Sequence, residues 1–417
     1  MTVTRKRISR HQVTVPIHAG LNSLNNVVGG TIYYDFTDAN YIASNLTGVD
    51  ANQATAMTAA QKAAVTKAFQ YISSIANLTF APTTDATKAT IMFGDNVQAS
   101  SAGYANPHNQ SGSHQQYMFL ASNATTNNSF ASGTYGWETV IHEIGHTLGF
   151  KHPFNGNAGG GGAPAPYLPT ATNNHRYTVM SYTNPTDSNI LAATYSNNQV
   201  KLTTTTTVNP STYMTYDIEA LQYLYGANTA PTGDAASTLA SVQNLTFNDS
   251  FNGMETIWAP TGQTLDASAT TRSDTIDMRG GAYSTIDYQS GADQITKQLA
   301  AQSMTPNNIA SVLKSFQTTI ATAYTGANSV GLAYGSQLST VETGSANDTI
   351  YAANYSAKID GGGGNNTVYL EGASKDWKVT NGTSAGEMIY TNGKITETLD
   401  NIKTVAFYNP ATTALTH

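Results

Sequence analysis

The stretch His142-Glu143-Ile144-Gly145-His146-Thr147-Leu148-Gly149-Phe150-Lys151-His152 restricts the fold more than any other, because it asks three imidazoles to meet. Residues four apart share one face of an α-helix, so a helix through His142 and His146 aims two ring nitrogens at one point, at the roughly 2.0–2.1 Å that zinc prefers. Val140, Ile141, Ile144 and Leu148 give the same helix an apolar side at core-face spacing. Gly149 stands where that helix must end. Glycine takes the left-handed conformation that reverses a chain at a helix C-terminus, and the reversal returns His152 as a third ligand. Three protein ligands leave a fourth position for water, whose pKa zinc brings from 15.7 towards 7. Glu143 points about 100° around the helix from the neighbouring ligand, which sets it beside the open position, where a general base belongs.

A bare pair of histidines at this spacing can arise by chance, and a lone histidine is more commonly a satisfied core or surface residue. Here Gly149, His152 and the downstream Tyr177-Thr178-Val179-Met180-Ser181-Tyr182 meet separate requirements in the right order. Together HEIGHTLGFKH and YTVMSY resemble the metzincin metallopeptidases, and within them the serralysin branch. The resemblance implies an α+β catalytic domain, a twisted sheet plus helices, with zinc on His142, His146 and His152 and Glu143 as the catalytic base. It implies two roles for Tyr182, as a zinc ligand at rest and as a hydrogen-bond donor to the tetrahedral intermediate. Met180 becomes a packed apolar floor beneath the zinc site, not a ligand.

The similarity runs over most of residues 30–228. Thr31–Phe36 reads as a strand, Thr58–Ile75 as an amphipathic helix, and Leu78–Ala81 and Thr90–Gly94 as further strands. Tyr213–Gly226 has helical spacing and resembles the helix that closes the serralysin catalytic domain. In that family an extended peptide pairs antiparallel with an edge strand above the cleft. Ser101–Asn106 is the candidate here, with Ala102, Gly103, Tyr104 and Ala105 as the substrate-binding residues. The loop with Gly159–Gly162, Pro164 and Pro166 has the composition of an irregular rim.

At 417 residues the chain exceeds a usual single core. We read residues 1–28 as an N-terminal arm or propeptide-like segment, 29–235 as the metallopeptidase domain, and 236–417 as an all-β parallel β-roll or sandwich. Within this last region Asp348-Thr349-Ile350-Tyr351, Ala357-Lys358-Ile359-Asp360 and Asn366-Thr367-Val368-Tyr369 recur every nine residues. That period belongs to parallel β-rolls whose GGxGxDxUx turns bind calcium. The turns before Asp348 and Asn366 are weakened copies, so Asp348, Asn366, Gly344 and Gly363 are the calcium candidates. With one carboxylate where the consensus has two, and calcium demanding six to eight oxygens, one weak site or none is expected. Residues 296–330, with the helical-looking Ile309–Ile320, have no place in that scheme.

Charged residues make up 11% of the chain against a typical ~25%, and the net charge is -7. Arg5-Lys6-Arg7 is the sole basic run, so a nucleic-acid partner is not expected. The absence of cysteine excludes disulfides and thiolate metal sites. No stretch is apolar enough for a secretory signal peptide or a membrane span. The serralysin resemblance reconciles this with a secreted, extracellular enzyme. It implies export by type I secretion machinery that reads a C-terminal signal in the tail around 398–407, protein or peptide substrates, and a monomer. The competing reading is a non-catalytic surface or adhesion protein built on a retired peptidase domain and a β-roll. The presence of Glu143 and all three histidines weighs against it. An astacin-type metzincin shares the tyrosine, but those enzymes usually carry disulfides and lack this C-terminal half.

Overall fold

The computed structural model describes residues 30–38, 41, 50–106, 116–154 and 165–415. The N-terminal arm and the glycine run with Pro164 lie outside the described residues. The chain forms two compact units, one of sequence up to Ala131 with Tyr135–Thr183 and Tyr216–Ala236, the other of Ser132–Thr134, Asn184–Thr215 and the chain from Ser237.

The first unit is built on a five-stranded sheet: β1 (Thr31–Phe36), β2 (Thr79–Pro82), β3 (Ile91–Asn96), β4 (Gly103–Asn106) and β5 (Gln116–Ala121). Their spatial order is β2-β1-β3-β5-β4. Pairings among the first four are parallel, and β4 runs antiparallel to β5, with Gly103 opposite Leu120 and Ala105 opposite Met118. The candidate substrate strand is therefore a sheet edge. Helix α1 (Ala59–Ile75) begins at a capping box, in which Thr58 accepts the amide of Gln61 while the Gln61 side chain accepts the amide of Thr58. Its Phe69 lies in an aromatic core with Phe80 at 4.0 Å, Tyr34 at 4.7 Å and Phe93 at 5.7 Å between ring centroids. This core joins α1 to the sheet. Helix α2 (Tyr135–Thr147) carries the first two histidines, and from Gly136 to Thr147 every residue is buried. The sequence suggested one apolar side; the structure encloses this helix on all of them. Helix α3 (Thr215–Tyr225) completes the unit.

The second unit contains a seven-stranded and a four-stranded sheet. Successive strands Leu338–Glu342, Thr349–Tyr351, Ala357–Asp360 and Asn366–Glu371 alternate between the two sheets and pair in parallel. Val341 lies opposite Ile359 and Ile350 opposite Val368, an offset of two nine-residue steps. Ile350, Ile359 and Val368 are fully buried in one core with Leu265, Leu370 and Leu399. The phase read from the sequence is thus the phase of the core.

This unit is not made of strands alone. Helices Gly291–Ala301, Pro306–Ser315 and Gln317–Ile320 pack with the hairpin of Asn189–Ser196 and Gln199–Thr207. Leu191 and Ala193 of the hairpin share a small apolar core with Ile295, Leu299, Met304, Ile309 and Ile320. The hairpin precedes residue 235 in sequence, yet it belongs to this unit. Two glutamines one helical turn apart complete the union. Gln298 accepts the amide of Ala193 and donates to the carbonyl of Leu191, and Gln302 accepts the amide of Tyr195 and donates to the carbonyl of Ala193. Their amide groups replace a neighbouring strand along this edge.

Candidate metal centre

The histidine cluster begins with how α2 ends. Gly149 has φ of 105°, a conformation open to glycine and strained for other residues. The amide of Phe150 then returns to the carbonyl of Gly145 at 2.9 Å, and the reversed chain brings His152 back over the helix. His142, His146 and His152 are all buried. Nε2 of His152 lies 3.2 Å from Nε2 of His142 and 3.1 Å from Nε2 of His146. Nδ1 of His142 faces the carbonyl of Val179 at 2.7 Å, and Nδ1 of His146 faces that of Phe150 at 2.9 Å. A carbonyl can only accept, so both Nδ1 atoms carry the protons and both Nε2 atoms present lone pairs. A proton on His152 could relieve one of the two close contacts. A cation relieves both.

The spacing fits zinc. Two nitrogens about 2.05 Å from one tetrahedral ion lie roughly 3.3 Å apart. Burial and the neighbouring imidazoles hold His142 well below the usual histidine range, and burial with His146 pushes His152 down to about 3, so these two rings favour the neutral form that can hold a metal. The donor set of three imidazoles, without thiolate or carboxylate, suits the same metal.

Glu143 is buried beside the cluster, and burial raises its carboxyl to about 8, opposed by a hydrogen bond from the amide of Ala105. The edge strand and the candidate base are therefore in direct contact. Tyr182 is exposed, with its ring 4.6 Å from that of His152 and 5.6 Å from that of His142. Met180 is fully buried. Its sulfur lies 3.0 Å from where a Cβ on Gly145 would stand, and the ring of Phe150 is equally close. Gly145 is thus needed for α2 to rest on this floor, a requirement the sequence reading did not draw.

Of the four substrate-strand candidates, Tyr104 turns its side chain away. Its hydroxyl donates to Asp50 at 2.6 Å and accepts from Asn96 at 2.8 Å. The carbonyl of Ala102 accepts from the amide of Ala121 and the side chain of Asn127. Alternation along an antiparallel strand then leaves the main-chain groups of Gly103 and Ala105 facing outward.

Other residues that hold the site escaped the sequence reading. Asp217, fully buried on α3, accepts the hydroxyl of Thr178 at 2.6 Å and the amide of Val179 at 2.8 Å. Val179 is the residue whose carbonyl orients His142, so Asp217 fixes a ligand through one intervening peptide. Tyr225, also on α3, donates to the carbonyl of Leu148 at 2.7 Å and secures the end of α2. His175 donates to the carbonyl of Ser181 at 2.7 Å and lies 3.0 Å from Glu138, tying the methionine turn to the start of α2. A signal for Asp217 did exist. It is the acidic residue in the first turn of a helix already matched to the closing helix of the family.

A helix with two of the histidines, a glycine reversal to the third and a buried methionine turn beneath them form the arrangement expected of a metzincin-type metallopeptidase domain. The profile described as Metallo-peptidase family M12 (Reprolysin_5) matches residues 6–197. The chain is 29% identical to a serralysin of Photorhabdus sp. (strain Az29) over 251 residues, 57% of this chain and 49% of that protein. It is 34% identical to a serralysin of Proteus mirabilis over 163 residues, 37% of this chain and 30% of that one. It is 29% identical to the metallopeptidase AprA of Pseudomonas marginalis over 278 residues, 61% of this chain and 56% of that protein. Over the matched residues the chain is similar to M12-type metallopeptidases and to serralysins, and it spans about half the length of the curated relatives it matches.

Asp217→Asn keeps the shape of the side chain but removes one of its two acceptor oxygens. We expect zinc affinity to fall about 10–100-fold, the usual consequence of releasing a group that orients a ligand. Competition with a chromogenic chelator measures it, and unchanged affinity would remove Asp217 from this role.

Proposed function

We propose that the chain is a zinc-dependent endopeptidase that hydrolyses proteins or peptides, with Glu143 as general base. The observation that carries this reading is the convergence of three imidazoles, with Nε2 of His152 3.1–3.2 Å from those of His146 and His142, beside the buried Glu143 carboxyl. Zinc, when bound, supplies the Lewis acidity that activates water near neutral pH and polarises a carbonyl.

The outward main-chain groups of Gly103 and the outward carbonyl of Ala105, whose amide is held by Glu143, would pair with an extended peptide, which gives affinity with little dependence on its side chains. Glu143 accepts a proton from the attacking water and returns it to the departing amine. A positive charge next to it would lower its pKa from the value to which burial raises it, which keeps it ionised and able to accept. The hydroxyl of Tyr182 donates to the oxygen on which negative charge develops, and the exposure of this side chain leaves it free to move there. No acyl-enzyme is needed.

No helix among the described residues is long and apolar enough to cross a membrane. The likeness to serralysins supports the further reading that the enzyme is exported by type I secretion machinery and acts outside the cell as a monomer. A cysteine-free chain of low charge suits that setting.

Glu143→Ala should retain zinc and lose about 10²–10⁴-fold in turnover, the usual contribution of a positioned base. Casein digestion alongside metal analysis reads both quantities, and normal turnover would take Glu143 out of the mechanism. Tyr182→Phe should lower kcat by about 10²–10³-fold with little change in KM, as loss of an oxyanion donor does. A change confined to KM would reassign Tyr182 to substrate binding.

A further inference from the structure

The nine-residue turns of the second unit match a calcium-binding consensus in outline, so their fit to that ion can be tested against their hydrogen bonds. Calcium requires six to eight oxygens at 2.3–2.6 Å. In the turn before Val368, oxygens do converge, but on a nitrogen. Nδ2 of Asn366 donates to the carbonyls of Gly361, of Gly363 at 2.7 Å and of Asn401 at 3.1 Å. Oδ1 of the same side chain accepts the amide of Asp348 at 2.9 Å. This fixes the amide's orientation, since only an NH2 group can face three carbonyls. Asn366 is fully buried.

The same contact repeats along the sheet. Oδ1 of Asp348 accepts the amide of Asp274 at 2.8 Å, and Oδ1 of Asp274 accepts the amide of Asp287 at 2.7 Å. Asp274 and Asp348 each stand immediately before a strand of the four-stranded sheet, and Asn366 opens the next. Each side chain thus reaches an amide of the adjoining chain segment. The turns themselves touch. The amide of Gly363 donates to the carbonyl of Gly344 at 2.8 Å, and that of Ser345 to the carbonyl of Thr270 at 3.1 Å. A Cβ on Gly344 would lie 2.1 Å from the Thr270 carbonyl oxygen, and one on Gly362 would lie 2.3 Å from that of Gly344. The turns stack in hydrogen-bonded contact, and the place among the carbonyls of Gly361, Gly363 and Asn401 is taken by the amide group of Asn366.

We propose that Asn366 takes the place of a calcium ion, and that this unit folds and holds its turns without calcium through the ladder Asp274, Asp348, Asn366 and Asn401. The amide protons supply the positive end that the turn carbonyls require, and Asp348, the sole carboxylate of the two consensus turns, serves a main-chain amide through Oδ1, while its Oδ2 is buried without a hydrogen-bond partner. The glycines are kept for close stacking of the turns. The inference is independent of the peptidase reading.

The test uses the full chain, freed of metals and restored with zinc alone, so that the first unit stays loaded. Thermal unfolding and isothermal titration are followed with calcium chloride as the probe. The wild-type protein should show no saturable binding below about 1 mM, the weak end of extracellular calcium modules. Its melting temperature should not change on calcium addition. Asn366→Asp places a carboxylate against three carbonyls, so it should melt lower without calcium and recover when calcium is added. Asn366→Ala should melt lower and gain no calcium response. Saturable wild-type binding lost in Asp348→Asn, or an Asn366→Asp variant as stable as wild type and indifferent to calcium, would overturn the proposal. If Asn366→Asp does not fold in either condition, the wild-type titration decides alone.

Discussion

The Nε2 atom of His152 lies within 3.2 Å of those of both His142 and His146 in a buried site, a repulsive arrangement of imidazole lone pairs unless something positive lies among them. The chain spends much of its first unit on holding them there. Main-chain carbonyls of Val179 and Phe150 dictate which nitrogen of His142 and His146 is protonated, so both rings present an acceptor to the same point. Asp217 fixes Val179, Tyr225 fixes the end of the ligand helix, and Gly145 lets that helix settle on Met180. The aromatic core around Phe69 and the five-stranded sheet then serve as a base for these few contacts. Rigidity of the ligand set comes from the shell behind it.

A shared means of cohesion runs through both units. With 11% charged residues and no cysteine, the chain can draw little on ion pairs and nothing on disulfides. Hydrogen bonds from polar side chains to the main chain take that part. Asp217 holds the methionine turn, Gln298 and Gln302 stand in for a strand beside the hairpin, and Asn366 gathers the carbonyls of a roll turn. Each acts where backbone groups would otherwise be buried without partners, a loss of roughly 1–3 kcal/mol per group. This is why an uncharged polar composition is compatible with a well-ordered interior.

Periodic features were legible in the sequence, and contacts between distant residues were not. Helix spacing set His142 and His146 on one point, and the nine-residue phase of Ile350, Ile359 and Val368 marked a core, because both follow from repeat geometry along the chain. The edge position of Gly103–Asn106 came from family likeness, and the strand order agrees with it. Beyond the place of Asp217 in the first turn of the closing helix, nothing local marked it or His175 as a support, because their partners lie 38 and 6 residues away, across turns whose approach no local pattern encodes. Proximity in sequence attached the hairpin Asn189–Thr207 to the catalytic region, whereas its apolar face is covered by the helices near residue 300. Those helices lacked a rationale until the hairpin supplied one. Asn366 resembled a degraded metal ligand because a consensus records residue types, and the direction of an amide group is a property of the folded turn.

X-ray absorption at the zinc edge on the purified protein addresses the metal centre most directly. The account predicts zinc as the bound metal, with three imidazole nitrogens at about 2.0–2.1 Å and the remaining coordination supplied by oxygen. A protein reconstituted with zinc whose spectrum showed only an oxygen shell, or fewer than three imidazoles, would contradict the convergence of His142, His146 and His152 on one ion.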